Sequence, residues 1–154
     1  MIKVFTFNMK LLYQPTLSDE WLAKLQANGY RITRPLKAIV DILAGATRAL
    51  EPVDIFDMGR REYPKMGLVT VYRALDKLVE LELVQRVHKA DGCHAYLRAA
   101  NGHEHILLCT RCGQAVFFAG DNIASLMDRV ARESGFIIQD HWLQLSGLCA
   151  NCQS

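Results

Sequence analysis

The chain lacks any apolar run near the roughly 20 residues that a membrane span requires. Its longest apolar stretches are broken by Arg, Asp, Lys or Gly every few positions, which argues against a membrane location. Met1 to Tyr13 carries Lys3 and Lys10 around a short apolar stretch. It has no long apolar core followed by a small-residue cleavage site, so it does not read as a secretory signal. There is no internal repeat, no low-complexity segment, no Gly-rich phosphate loop and no Ser, His and Asp set for nucleophilic chemistry. These absences point to a cytoplasmic protein that is not an enzyme and has no small-molecule substrate.

Charge of one sign is scarce as well. The formal net charge is +2, so the whole-molecule field gives little pull on a polyanion. Its distribution says more: residues 1–98 hold 15 Lys and Arg against 11 Asp and Glu, whereas residues 99–154 hold 3 against 5. The basic character therefore belongs to the first part of the chain. Five cysteines are present, Cys93, Cys109, Cys112, Cys149 and Cys152, and four of them form two Cys-x-x-Cys pairs. An odd count without a secretory signal favours metal ligation over a disulfide framework.

Leu17 to Ala27 repeats apolar residues at helical spacing and stops at Asn28-Gly29. Thr33 is placed to cap a second helix with Pro35 in its first turn, running to Gly45, and Pro52 to Arg61 reads as a third, ended by Tyr63-Pro64. The fourth, Leu68 to Glu82, is the most periodic. Leu68, Val71, Leu75, Leu78 and Val79 form one stripe, leaving Thr70, Arg73 and Lys77 facing outward. Two strand-like runs follow, Leu83 to His88 and His94 to Arg98, with turn chemistry at Asp91-Gly92 between them. Helices followed by a hairpin make the order of a winged helix.

After a break at residues 99–102 the composition changes. Strands are expected at His105 to Leu108, Ala115 to Phe118 and Phe136 to Leu145, with a helix over Asp121 to Ser134. Cys109-x-x-Cys112 and Cys149-x-x-Cys152 each put two thiolates on a tight knuckle beside Gly113 and Gly147, and four thiolates suit a closed, structural zinc (Zn2+) site. A strand, a helix and a return strand fit between the pairs. So small a domain commonly needs such a staple.

Tyr63-Pro64, Thr70-Val71-Tyr72-Arg73, His103-Glu104-His105 ahead of Cys109-x-x-Cys112, and Gly147 ahead of Cys149-x-x-Cys152 occur here in one order and spacing. In that combination, over roughly residues 17–152, the chain resembles the ferric uptake regulator superfamily of metal-responsive repressors. The resemblance implies an α+β protein: a winged-helix DNA-binding domain over 1–98, with 1–16 an extra N-terminal segment, then a linker at 99–102. A small α/β dimerisation and metal-binding domain would follow over 103–154. It implies a homodimer on a double-stranded DNA operator, controlling metal homeostasis. Thr70, Tyr72, Arg73 and Lys77 lie on the helix that would enter the major groove, Arg60, Arg61 and Lys65 are placed for phosphates, and Arg31 matches a position that reaches toward the minor groove.

A second, regulatory metal is also implied. His103, His105 and His141 match one family site, with Asp121 as the candidate fourth ligand; positions that in iron-sensing relatives hold His or Glu are here Ala49, Leu97 and Ile106, leaving Glu104 alone of that set. An alternative sensor can be drawn from His88, Cys93 and His94 around the hairpin, with His103 or His105. Imidazole and thiolate donors favour Zn2+ without excluding Fe2+ or Mn2+. The main expectation is a zinc-responsive repressor. The competing readings are an iron- or peroxide-responsive regulator of the same superfamily and a zinc-stapled adaptor that binds protein.

Overall fold

The computed structural model describes residues 15–89, 91–102, 104–120 and 123–153. His103, Asp121 and nearly all of segment 1–16 lie outside the described residues. α1 (Leu17–Ala27) starts with a reciprocal cap: the Asp19 N–H donates to the Thr16 hydroxyl and the Thr16 N–H to the Asp19 carboxylate, pairing two donors that a helix start leaves open. It ends through Asn28 into Gly29 at φ 82°, a conformation glycine adopts without a Cβ clash. α2 (Arg34–Ala44) begins under Thr33 with Pro35 in its first turn, and α3 (Pro52–Glu62) and α4 (Leu68–Glu80) follow.

Along α4 the buried residues are Val71, Ala74, Leu75 and Leu78, one stripe at helical spacing. Leu68, expected on that stripe, is the first residue of the helix and stays 37% exposed. The stripe closes on Trp21, Leu25, Ile39, Leu43 and Ile55 in one apolar core that all four helices share. Two strands, β1 (Val84–His88) and β2 (His94–Arg98), pair antiparallel from Val84 opposite Arg98 to His88 opposite His94. Helices and hairpin stand in the order of the winged helix read from the sequence.

β3 (Glu104–Cys109), β4 (Ala115–Ala119) and β5 (Gln144–Gly147) form a second sheet in the order β4-β3-β5. β4 is antiparallel to β3 and β5 is parallel to it, so a crossover is needed, and α5 (Ile123–Ser134) provides it. The long strand expected over Phe136 to Leu145 does not form: pairing starts only at Gln144. The register explains why. Gln144 lies opposite Ile106, so each step back from it is a step back along β3, which begins at Glu104. Residues 136–141 run past that end and meet no strand among the described residues.

The two sheets are joined by the segment between α2 and α3. Leu50 exchanges both backbone hydrogen bonds with Tyr96 of β2, at 2.9 and 2.8 Å, while the Ala49 N–H donates to the Gly113 carbonyl at 2.9 Å. Beneath these bonds lies a second apolar cluster, Ala49, Val87, Ala95, Leu97, Ile106 and Leu108, which draws residues from both sides of positions 99–102. Leu43, fully buried in the first cluster, tests its weight: Leu43→Ala is expected to lose about 3 kcal/mol, the usual cost of transfer plus cavity. Urea unfolding monitored by circular dichroism measures this loss.

Candidate metal centre and nucleic-acid interface

β3 ends at Cys109, and a tight turn leads into β4. The Gly113 N–H donates to the Cys109 carbonyl at 3.0 Å and the Cys109 N–H to the Gln114 carbonyl at 2.8 Å. Gly113 stands at φ 76°, so the turn uses a backbone state that a side chain would strain. Gly147, the second glycine read as turn chemistry, has no positive φ; it closes β5 opposite Cys109. From there Leu148 leads into Cys149, and a single 3-10 turn over Ala150–Cys152 brings the last thiol back.

The sulfurs of Cys109, Cys112, Cys149 and Cys152 all lie within 4.8 Å of one another, and those of Cys112 and Cys149 are 3.7 Å apart. Four Zn–S bonds of about 2.3 Å in a tetrahedron would set sulfurs about 3.8 Å apart, so this set suits zinc with at most small side-chain movements. Local polarity already distinguishes the thiols. Backbone N–H groups of Cys149 and Cys112 aimed at the Cys109 sulfur draw its pKa down to about 6. Cys152, hydrogen-bonded to the Cys149 thiol and withdrawn from solvent, is pushed up to about 12. Among the described residues no other set of three or more potential ligands converges.

His105, on β3, is 4% exposed, and its Nε2 is buried without a hydrogen-bond partner. Its ring sits 5.3 Å from that of His141 and 5.6 Å from Phe118. Gly120 makes the space, since a Cβ there would fall 2.3 Å from the imidazole. Both histidines line a cavity of about 1250 Å³ that Asp128 and Asp140 also border. His141 thus meets His105 from the irregular stretch before β5, not from the strand expected for it. His103 and Asp121, the other two residues expected here, lie outside the described residues.

At the hairpin tip His88 and His94 are cross-strand partners with ring centroids 5.4 Å apart, and His88 also meets Trp142 at 5.6 Å. Cys93 is exposed beside them and does not complete a three-ligand set. Ala49, Leu97 and Ile106 fall together in the second apolar cluster, 6%, 1% and 1% exposed. Glu104 is spoken for: its carboxylate accepts from the Asn101 N–H and from Arg98, which hold its pKa below the usual range. The Arg98 guanidinium in turn lies 3.5 Å from the centre of the Phe117 ring.

α4 presents Val69, Tyr72 and Arg73 to solvent, with Thr70 half-buried between them. Arg31, Arg60, Arg61 and Lys65 are exposed, and neither they nor Arg73 forms an ion pair among the described residues. Some other cations are paired, as in Arg48–Asp54, Arg86–Asp76 and Lys89–Glu51, while Arg34, Arg129 and Arg132 form no ion pair among the described residues. Arg60 lies over Phe56 and Lys77 over Tyr30, whose hydroxyl donates to Glu80, so Lys77 is less free than the sequence implied. Val69 was not singled out from the sequence. Its spacing of three and four residues from Tyr72 and Arg73 puts it on their face.

Residues 27–146 match the sequence profile described as the ferric uptake regulator family. The ferric uptake regulation protein of Neisseria meningitidis is 32% identical over 86% of this chain and 93% of its own. The zinc uptake regulation protein of Mycobacterium tuberculosis is 30% identical over 84% of this chain and 100% of its own. Among solved structures, the Helicobacter pylori ferric uptake regulator superposes with a TM-score of 0.69 at 20% identity, over 90% of this chain and 92% of that one, a likeness of fold. Whatever ion is held, Cys109→Ser or Cys149→Ser removes one of four donors. Each variant is expected to lose most of its tightly bound zinc and to melt at lower temperature, by atomic emission and calorimetry.

Proposed function

Because the chain belongs to the ferric uptake regulator family, we propose that it is a homodimeric, zinc-responsive repressor that binds a sequence-specific operator in double-stranded DNA. In this reading residues 1–98 bind DNA, residues 103–154 dimerise and hold metal, and the protein works in the cytoplasm. The observation that carries it is the exposed front of α4. A rigid helix offering Tyr72 and Arg73 beside unpaired cations is suited to a major groove, where an Arg fork bonds guanine and apolar atoms such as those of Val69 meet a thymine methyl. Arg60, Arg61 and Lys65 supply phosphate contacts at the start of the helix, Lys77 one further along it, and Arg31 reaches the adjacent minor groove.

Dimerisation is supported by unpartnered apolar surface in the C-terminal part. Leu107, Val116 and Leu145 stand side by side across β3, β4 and β5, each more than 40% exposed. α5 buries none of its residues against this chain, and Phe136 and Ile137 are 74% and 90% exposed. Contiguous apolar surface of this kind is a docking face, and a twofold dimer presents two α4 helices to adjacent half-sites.

The four thiols would hold structural zinc. A regulatory ion would be held by His105 and His141, together with His103 and Asp121; its chemistry there is to order the elements it joins, and a ligand shifts only the states it binds unequally. The buried, unpartnered Nε2 of His105 supports this location, and imidazole donors support zinc. Relatives carry both ferric and zinc names, so iron(II) is the rival ion. The His88–His94 pair favours a second location at the hairpin, with Cys93.

Arg73→Ala is expected to weaken operator binding by about 1–3 kcal/mol with zinc content and dimer intact, read by titration at several salt concentrations. Equal affinity to the parent would remove α4 from the interface. His105→Ala and His141→Ala should each reduce metal-dependent DNA binding while the thiol-bound zinc stays. If His88→Ala, Cys93→Ala and His94→Ala alone lose the metal response, the regulatory ion sits at the hairpin.

A further inference from the structure

Thr47 to Leu50 lies within the seven-residue connection between α2 and α3, residues 45–51, and carries several long-range backbone bonds. On one side Leu50 is locked to Tyr96 of the hairpin by a reciprocal pair of bonds. On the other, the Ala49 N–H donates to Gly113, the Ala115 N–H donates to Thr47 at 3.3 Å, and Arg48 bridges Gln114. Gly113 and Gln114 directly follow Cys112 in the first knuckle. The segment therefore joins the hairpin to the thiol centre through two isolated antiparallel bridges.

From it the connection continues into the DNA-binding helices. Glu51, the next residue, caps α3, with its N–H donating to the Asp54 carboxylate and its own carboxylate paired to Lys89 of the hairpin. α3 packs against α4. The contact at Gly113 is also close: a Cβ there would lie 3.3 Å from the Ala49 carbonyl, so the knuckle backbone and the segment meet without intervening side chains. Arg98, clamped by Glu104 and Phe117, holds the linker on the opposite side.

We infer that Thr47–Leu50 is a strut through which the metal state of the four-thiol centre sets the position of α4. The inference rests on the metal and DNA assignments above. An ion on the thiols fixes the path of Cys109 to Gly113, and the Gly113 carbonyl is where the strut is anchored. Without the ion, only hydrogen bonds hold that turn, and the Ala49 anchor frays with it. Ala49 and Gly113 act as positioning residues, remote from DNA.

Hydrogen exchange by mass spectrometry on the full reduced protein tests this, comparing the zinc-loaded form with one stripped by a strong chelator. Stripping is expected to speed exchange of the 47–50 amides about tenfold or more while the α2 and α4 amides keep their protection. Faster exchange at 109–114 with no change at 47–50 would overturn the strut. No change at either segment, with zinc shown by atomic emission to have left, would overturn it as well; a protein that carries no zinc before stripping would instead be a failure of the metal assignment itself. Should stripping unfold the whole chain, Ala49→Pro decides, because it deletes the anchoring N–H and leaves every thiol in place. With zinc content and helix protection retained, its operator affinity should fall about tenfold; parent-like affinity would overturn the inference.

Discussion

β5 runs parallel to β3 in a register that sets Gly147 opposite Cys109, and the C-terminal half is organised around that pairing. The Thr110 N–H donates to the Gly147 carbonyl at 2.8 Å, which holds the second Cys pair against the first and brings four sulfurs into one space. Little else could hold this half together from within. Three short strands and a helix with no buried residue contribute Ile106 and Leu108 to the second cluster, with Ala115 and Phe117 packed against it. A core of that size offsets little of the entropy of ordering some fifty residues. Coordination through the four thiols and burial of the α5 face against a second copy are the two sources of stability that remain.

Helices were legible in the sequence wherever a local device fixes their ends. Asn28-Gly29 closes α1 and Thr33 with Pro35 opens α2, and the observed bounds agree with those read from the chain, although the Thr16–Asp19 cap at the start of α1 was not read. The hairpin and the Cys knuckles were legible for the same reason: their geometry is encoded within a few residues. Phe136 to Leu145 was misread because its pattern suits an extended backbone, whereas a strand also needs a neighbour, and β3 ends too soon to be one. The strut at Thr47–Leu50 left no local signal at all. Its bonds to Tyr96 and Gly113 join residues far apart in the chain, and nothing in four residues of mixed type announces them.

Ala49, Leu97 and Ile106 bear on how a metal signal can travel. The three side chains offer only carbon, and they are packed together with Val87, Ala95 and Leu108 in a cluster closed to water. A divalent ion placed there would lose its hydration and gain no donor, so this junction rests on apolar packing and not on a metal of its own. Glu104, two residues before Ile106, already pairs with the permanent cation of Arg98. An ion held elsewhere can influence α4 only through elements that touch the winged helix. The knuckle at Gly113 does so through two backbone bonds, whereas His105 and His141 face a cavity bordered by the hairpin and α5. The first path is a direct mechanical connection. An ion at His105 and His141 would instead meet the hairpin, the end of α4 and α5 around that cavity, so it would adjust the spacing between two winged helices as well as the pose of one.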